Sequence, residues 1–513
     1  MTTREAKPRR IRELFWPRDS AGVGQLFVGL AMLMGLVGGA LAVLIRTQLS
    51  STQAGGILKP ETYLSVVSMH GSLMVFGMAL PALFGGLGSI YLPRQLGRER
   101  LRWHGLQLSG CWLTLLAMLV LLAAFGTDAG APGAGWSSLP PLSALEPMAW
   151  DGQDLWILGM ALACVALLCL ASSFLVTRSA PAGRGGLLLV AYRWAAASAW
   201  VGLPPMLLAL GLLASDRHLG TSYFMPAGMV LNDGVLPFAE GLPFLYRSLF
   251  WQLGHPSMLL LALPALGLAH GILEAESGQP FVGRRSSQWA MAGLALCTWG
   301  LFGSQVLEAL QLPYPRLGTS PVALLPLGCL LLLALNLGFN LGRVQGRWSL
   351  ALHFVMALVL TLIGAAIGAL WLGVESAAQR LGGSYFPVGQ LHLWLGLASL
   401  MAIFAGLHHG FGRRFGKRLD EDLGGLHFWV SFLSLLGVFL LMHFQGLAGL
   451  PRRYGEHAQL DFAQAGQALA PWISGLTYLG AGAQAIFLFN FFSSIWLGTP
   501  IQESSAEQSQ PGE

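Results

Sequence analysis

Charge is what this sequence has least of. Asp, Glu, Lys and Arg together make up 10% of the 513 residues, whereas a soluble domain carries roughly 25%. Apolar residues account for 54%. Such a composition excludes a soluble domain and gives no basic surface for a nucleic acid, so we expect a polytopic membrane protein in contact with lipid.

Cysteine is also scarce. The five cysteines lie in apolar segments without the spacing of a metal site: Cys111, Cys164, Cys169, Cys297 and Cys329. We interpret them as small buried hydrophobic residues. A cleavable signal sequence is not expected either, because the first twenty residues are basic and polar and no small-residue cleavage site follows a short apolar core.

Long apolar runs are abundant, and about twelve of them could cross a bilayer as helices. Their approximate limits are 24–45, 63–92, 104–125, 155–176, 192–214, 246–273, 289–310, 321–342, 350–373, 388–411, 426–446 and 471–497. We therefore expect an all-α membrane protein with one transmembrane domain. The expected boundaries are a basic tail over 1–20, the helical domain over 21–499 and a polar, disordered tail over 500–513.

The basic residues predict the orientation of these spans. With a cytoplasmic amino terminus, most of the 29 lysines and arginines fall on the cytoplasmic side, as the positive-inside rule requires. Even-numbered spans then begin at the outer face. We expect an integral protein of a bacterial inner membrane.

Two histidines share one depth in this topology. His70 lies in the second span and His392 in the tenth, and both sit roughly 8–12 Å below the outer helix ends at 1.5 Å per residue. Two neutral imidazoles on facing helices are what a six-coordinate haem iron requires. The alternative is a pair of core histidines, each hydrogen-bonded to a neighbouring helix.

The adjacent His408 and His409 lie near the other end of the tenth span. They follow His392 by about 24 Å of helix. We expect them to meet lipid headgroups or helix-end carbonyls rather than a metal.

Seven segments, quoted with the number of the first residue, carry a resemblance that covers nearly the whole chain. They are LIRTQLS (44), SMHGSLMVFGMALPALFGGLGSIYLP (68), GAGWSSLPPLS (133), SDRHLGTSYFMPAG (215), LFWQLGHP (249), LGGLHFWVSF (423) and HFQGLAGLPRRY (443). Their order and spacing resemble subunit I of the haem-copper oxygen reductases, the cytochrome c oxidase family. The resemblance implies the twelve-helix bundle of that subunit.

The resemblance also implies a low-spin haem site. His70 and His392 match the two axial ligands of the low-spin haem. Arg452 and Arg453 match the pair that holds haem propionates, and Arg46 matches the arginine that hydrogen-bonds the formyl group of an A-type haem. We expect one low-spin haem, of A or B type.

The oxygen-reducing site does not match. The proximal ligand of the second haem falls on Gln390, and two of the three copper ligands fall on Ser304 and Gln305. Only His255 remains, and the tyrosine linked to that histidine falls on Leu259. A single imidazole cannot hold a redox copper, so we do not expect copper there.

The proton paths of the family do not match either. Their acidic entrance falls on Arg100, an inner glutamate on Ser257 and a lysine on Leu330. The outer pair that binds magnesium falls on Gly382 and Gly383. Leucine cannot relay a proton, so these positions predict that proton pumping is lost.

The leading hypothesis is therefore a subunit I homologue without catalysis that binds one haem and acts in respiratory electron transfer. Two alternatives stay open: an active terminal oxidase with unusual ligands, and a haem-based sensor or assembly protein. Whether the chain is an enzyme is left open by the absent ligands. The expected partners are oxidase subunits II and III, or another respiratory subunit.

Overall fold

A computed structural model describes residues 13, 15–50, 56–144, 151–178, 186–228, 230–231, 234–235, 241–250, 255–313, 324–457 and 460–501. The predicted boundaries at 20 and 500 stay predictions, because residues 1–12 and 502–513 lie outside this description.

The architecture is nearly all helical. The first helices are α1 (Ser20–Ser50), α2 (Pro60–Gln95), α3 (His104–Ala123), α4 (Gly152–Val176), α5 (Gly186–His218), α6 (Pro243–Phe250) and α7 (Leu259–Ser277). They are followed by α8 (Arg284–Ala309), α9 (Leu325–Leu341), α10 (Leu350–Leu372), α11 (Glu375–Leu381), α12 (Phe386–Phe415), α13 (Glu421–Leu447) and α14 (Ala470–Leu497). A one-turn helix, Gln464–Gln467, precedes α14, and a small hairpin pairs β1 (Val230–Leu231) with β2 (Gly234–Val235).

The predicted bundle of about twelve membrane helices is confirmed. Eleven helical segments of the described residues are long and apolar enough to cross a membrane. The remaining predicted span coincides with α9, which is apolar but has 17 residues. Helices dominate because a backbone in lipid must satisfy its own hydrogen bonds.

One predicted span is wrong in its continuity. The apolar run over 246–273 forms two helices, since α6 ends at Phe250 and α7 begins at Leu259. His255 between them is extended, with φ −72° and ψ 136°, and precedes Pro256. Proline disfavours the helical conformation of the residue before it, so His255 stands at a break rather than within a helix. Residues 251–254 lie outside the described part.

Helix α2 is the core of the bundle and contacts α1, α3, α5, α7 and α12. Small residues permit these close approaches. An added Cβ at Gly24 would lie 2.5 Å from the carbonyl oxygen of Gly86, and one at Gly88 would lie 2.3 Å from the ring of Tyr192. The helix that carries His70 is therefore held tightly from several sides.

Helices α2 and α12 both depart from ideal α geometry beside the predicted haem ligands. Helix α2 adopts π-helical turns over Leu73–Ala79 and Pro81–Leu87, just after His70. Helix α12 adopts one over His392–Leu397. The first and last of these stretches contact each other. Such π-helical turns often occur at functional sites.

Candidate functional site

The structure brings His70 and His392 together. Their ring centres are 6.2 Å apart, and the ring planes differ by 9°. The Nδ1–H of His70 donates to the carbonyl of Gly38 at 2.9 Å, and that of His392 donates to the carbonyl of Val388 at 2.8 Å. Since a carbonyl only accepts, each Nδ1 carries the proton, and each Nε2 keeps a lone pair for a metal.

The separation of the rings fits one metal ion between them. A metal–imidazole bond is about 2 Å long, and the ring centre lies about 1 Å behind the bonded nitrogen. Two such bonds in line place the ring centres about 6 Å apart. The parallel imidazoles therefore have a spacing suited to the two axial ligands of one haem iron.

Arg46 supplies a positive charge close to this pair. It lies on α1, is 5% exposed, and its guanidinium carbon lies 5.8 Å from the ring centre of Tyr385. The ion pairs of arginine among the described residues involve Arg18, Arg217, Arg284 and Arg347. Arg46 is thus a buried guanidinium whose charge no described carboxylate neutralises, which suits a polar acceptor on a ligand.

Arg452 and Arg453 lie in the loop after α13, as predicted. The backbone N–H of Arg452 donates to the carbonyl of Gly383 at 3.1 Å. Desolvation, followed by the positive charges of Arg453 and Arg247, lowers the pKa of Arg452 from its ordinary value. Desolvation also lowers the pKa of Arg453. Cations crowded together in this way favour a bound anion, which would relieve their repulsion.

Gln390, two residues before His392, uses both ends of its amide within the protein. Its Nε2 donates to the carbonyl of Ala365 at 2.6 Å, and its Oε1 accepts from Nε2 of His443 at 3.2 Å. An added Cβ at Gly368 would lie 2.0 Å from Oε1, so a glycine is needed beside this amide. Gln390 thus takes part in a closed hydrogen-bonded arrangement between α10, α12 and α13.

His443 contacts Gln390, and the sequence analysis did not single it out. Its Nδ1 lies 2.7 Å from the carbonyl oxygen of Phe439, and its ring lies in the wall of a cleft of about 180 Å³. The only signal for it was its place at the start of the segment HFQGLAGLPRRY.

His255 is buried and bonded on both sides of its ring. The Nδ1 atom accepts from the backbone N–H of Ser257 at 3.2 Å and lies 2.7 Å from its hydroxyl. The Nε2–H donates to the carbonyl of Leu249 at 3.1 Å. The ring of Phe302 lies 4.8 Å away, edge to face. His255 acts here as a cap of the short turn that leads into α7.

The other positions of the oxygen-reducing site bring no ligand to His255. The hydroxyl of Ser304 donates to the carbonyl of Leu301 in its own helix, and Gln305 is half-buried. Leu259 and Leu330 are buried and apolar. Over the ranges that the structure describes, no three residues of the His, Cys, Asp and Glu types gather closely enough to hold a metal.

The expectation for His409 is wrong. Its Nδ1 lies 2.7 Å from Oε1 of Glu276, and the hydroxyl of Ser349 donates to the same carboxylate. This side chain therefore pairs with an acid of α7 instead of a headgroup or a helix-end carbonyl. His408 points elsewhere and packs among aromatic rings, 5.1 Å from the ring of Phe354.

A buried charged network was also missed by the sequence analysis. Arg217 donates to Asp154 at 2.7 Å and to Asp151 at 2.8 Å, and His218 lies 2.8 Å from Asp154. The network joins the start of α4 to the end of α5. Its members are distant in sequence, so only the folded chain reveals the pairing.

The comparisons with known proteins agree with this architecture. The statistical model of the family "Cytochrome C and Quinol oxidase polypeptide I" matches residues 22–482. An "Alternative cytochrome c oxidase subunit 1" of Bradyrhizobium diazoefficiens is 28% identical, over 92% of this chain and 81% of that protein. A "Cytochrome c oxidase subunit 1" of Thermostichus vulcanus is 29% identical, over 85% of this chain and 77% of that protein.

A solved structure shows the same fold. The chain is similar to a chain of a heme-copper terminal oxidase dimer with a TM-score of 0.73 and 15% identity, covering 94% of this chain and 85% of the other. Since the family match extends over most of the chain, the protein belongs to the cytochrome c and quinol oxidase polypeptide I family, the subunit I of haem-copper oxidases.

Proposed function

We propose that this subunit I homologue binds one low-spin haem, of A or B type, between His70 and His392. It takes part in respiratory electron transfer or serves as a non-catalytic subunit. Oxygen reduction and proton pumping, the work of the family's second metal site, are lost. A haem bound in this way supplies a one-electron couple.

The single observation that supports the haem most directly is the imidazole pair. Parallel rings at 6.2 Å, each with Nδ1 bonded to a carbonyl, have the orientation that metal-ligating histidines need. The second hydrogen bond fixes the tautomer and holds the ring in place. Two core histidines without a ligand would have no reason to keep the lone pairs of their Nε2 atoms away from protein donors.

The arginines extend this proposal. Arg452 and Arg453 would pair with the anionic propionates, since planar guanidiniums that stay charged suit carboxylates. Arg46 would donate to a formyl group if the haem is of A type. Together they orient the group and raise its reduction potential through their positive charge.

The proposed loss of oxygen chemistry is supported by the hydrogen bonds that Gln390 and His255 make within the protein. A haem iron near Gln390 would have to compete for an amide that already bonds to the carbonyl of Ala365 and to the ring of His443. A copper at His255 would have to break bonds to Ser257 or Leu249. Amide and hydroxyl oxygens are poor ligands for a redox copper.

A pyridine haemochrome assay, combined with total iron, tests the proposal on purified protein. We expect one haem and one iron per chain, and a copper content that His255→Ala leaves unchanged. Two haems per chain, or copper that is lost in His255→Ala, would instead support an active terminal oxidase.

The setting of the protein is part of the proposal. The distribution of basic residues supports a cytoplasmic amino terminus, and the membrane we propose is a bacterial inner membrane. Companion subunits II and III, or another respiratory subunit, would cover part of the bundle. Purification under mild detergent, followed by identification of the proteins that stay bound, tests this.

A further inference from the structure

A second pair of imidazoles repeats the geometry of the first. His408 of α12 and His427 of α13 have ring centres 6.3 Å apart, and their planes differ by 11°. The corresponding values for His70 and His392 are 6.2 Å and 9°. Helix α12 thus contributes one histidine to each of two similar pairs, which are separated by roughly 24 Å along that helix.

The second pair has unused hydrogen-bonding capacity. His427 is 0% exposed, and its ring nitrogens make no well-aligned hydrogen bond among the described residues, with the side chain of Gln484 as a polar neighbour. The buried Nε2 of His408 makes no hydrogen bond there either. The amide nitrogen of Gln484 donates to Ser431 and to the carbonyl of Gly480, so only its amide oxygen can accept from His427, and it can engage one ring nitrogen at most. Buried polar groups are nearly always satisfied, so at least one unsatisfied nitrogen on each of two neighbouring rings points to a missing ligand.

The surroundings decide the size of that ligand. Phe354 lies 5.1 Å from the ring of His408 and 5.6 Å from that of His427. Phe487 also contacts both rings, and Phe404 lies 4.4 Å from His427. Phenyl rings that touch both imidazoles take the space that a porphyrin would need between them. A single ion is small enough.

We propose that His408 and His427 hold one monovalent copper ion, Cu(I). The site offers two neutral nitrogens in an apolar cage, and no third His, Cys, Asp or Glu joins them among the described residues. Zn²⁺ requires about four ligands and would bring two uncompensated charges into the membrane. Cu(I) carries one charge and is stable with few, soft or imidazole ligands.

Binding requires no change in protonation. Each neutral imidazole gives the lone pair of one nitrogen to Cu(I) and keeps the proton on the other. The single positive charge would lie among the rings of Phe354, Phe404 and Phe487, and aromatic rings can attract a nearby cation. The proposal is independent of His255 and of the haem.

The test is a Cu(I) titration of the purified full chain under anaerobic, reducing conditions, in competition with the chelator bicinchoninate. We expect one Cu(I) per chain, with at least a tenfold weaker affinity in His408→Ala and in His427→Ala. His255→Ala and His353→Ala serve as matched histidine controls and should bind as the parent does. X-ray absorption of the loaded protein should show two nitrogen ligands.

A conservative variant separates lost ligation from lost folding. His427→Met keeps a soft ligand, so it should retain Cu(I) and introduce one sulfur into the X-ray absorption spectrum. The proposal is overturned if the parent protein retains no Cu(I), which is the result expected if a water molecule bridges the two imidazoles. Equal copper binding in both alanine variants overturns it as well. The haem content of each variant is measured separately, so a failed haem proposal leaves this result readable.

Discussion

The His70–His392 pair and the positions of the oxygen-reducing site lie on the same scaffold but use their polar atoms differently. In the pair, one nitrogen of each ring is held by a carbonyl and the other keeps its lone pair. At the second site, Gln390 and His255 spend both ends of their side chains on protein partners. The first region leaves lone pairs that a ligand could use, whereas the polar atoms of the second bond within the protein.

If the proposed function holds, this difference explains how a membrane protein can lose a metal site without losing its fold. Removing a ligand leaves a buried polar group, and an unsatisfied group in lipid is costly. The chain meets that cost with local bonds: Ser304 bonds to its own helix, and His443 bonds to Gln390. The bundle can therefore stay well packed around positions whose polar side chains bond within the protein.

The largest expected effect is on the haem itself. In His70→Ala and in His392→Ala, the sharp low-spin spectrum of the reduced protein should disappear, because either change removes one axial ligand. His255→Ala is the matched control and should keep the spectrum. Visible absorption of the purified variants measures this. A spectrum that survives in either ligand variant would remove the distinction between the two regions.

The next largest effect concerns carbon monoxide, which binds only to a haem iron with an open coordination position. A six-coordinate iron has no open position, so the reduced protein should show no spectral change under carbon monoxide. The measurement is a difference spectrum of the dithionite-reduced protein with and without the gas. A complex at every haem would mean that a five-coordinate iron, and hence oxidase chemistry, persists.

A smaller effect is expected at Gln390. Gln390→Leu removes the partner of His443, and a buried donor left without an acceptor costs about 1–3 kcal/mol. The thermal unfolding temperature should fall, while the low-spin spectrum stays unchanged. Loss of the spectrum at an unchanged unfolding temperature would assign Gln390 to the haem rather than to packing.

The smallest effect concerns the arginine loop. Arg452→Gln and Arg453→Gln should each lower the reduction potential of the haem. Ferric iron carries one more positive charge than ferrous iron, so the loss of a nearby cation stabilises the ferric state more. A change of about 1 kcal/mol corresponds to roughly 40 mV for a one-electron couple. Redox titration at full haem occupancy measures it. Arg380→Gln, an exposed arginine of the short helix α11, is the control and should shift the potential less.

The fold was predictable because lipid allows so few structures. Apolar runs gave nearly all spans, and the break before Pro256 could have been read from the proline alone. The His70–His392 pair was also predictable, since both residues lie at one depth. The bonds of Gln390 to His443 and of His409 to Glu276 were not, because they depend on which face of each helix meets its neighbour. The face that each helix presents to its neighbour is set by packing and by the π-helical turns, and the hydrophobic pattern does not encode either.

The π-helical stretch His392–Leu397 makes helix α12 intolerant of a change in length. A π turn holds more residues than an α turn, so everything after it is rotated from the face that simple α-helical counting assigns. Deleting one residue there would restore regular α bonding, yet it would turn His408 and His409 away from His427 and Glu276 while His392 stayed in place. The two ends of α12 are thus tied together by residue count. Insertions and deletions should be found in the loops that flank this helix and not within it.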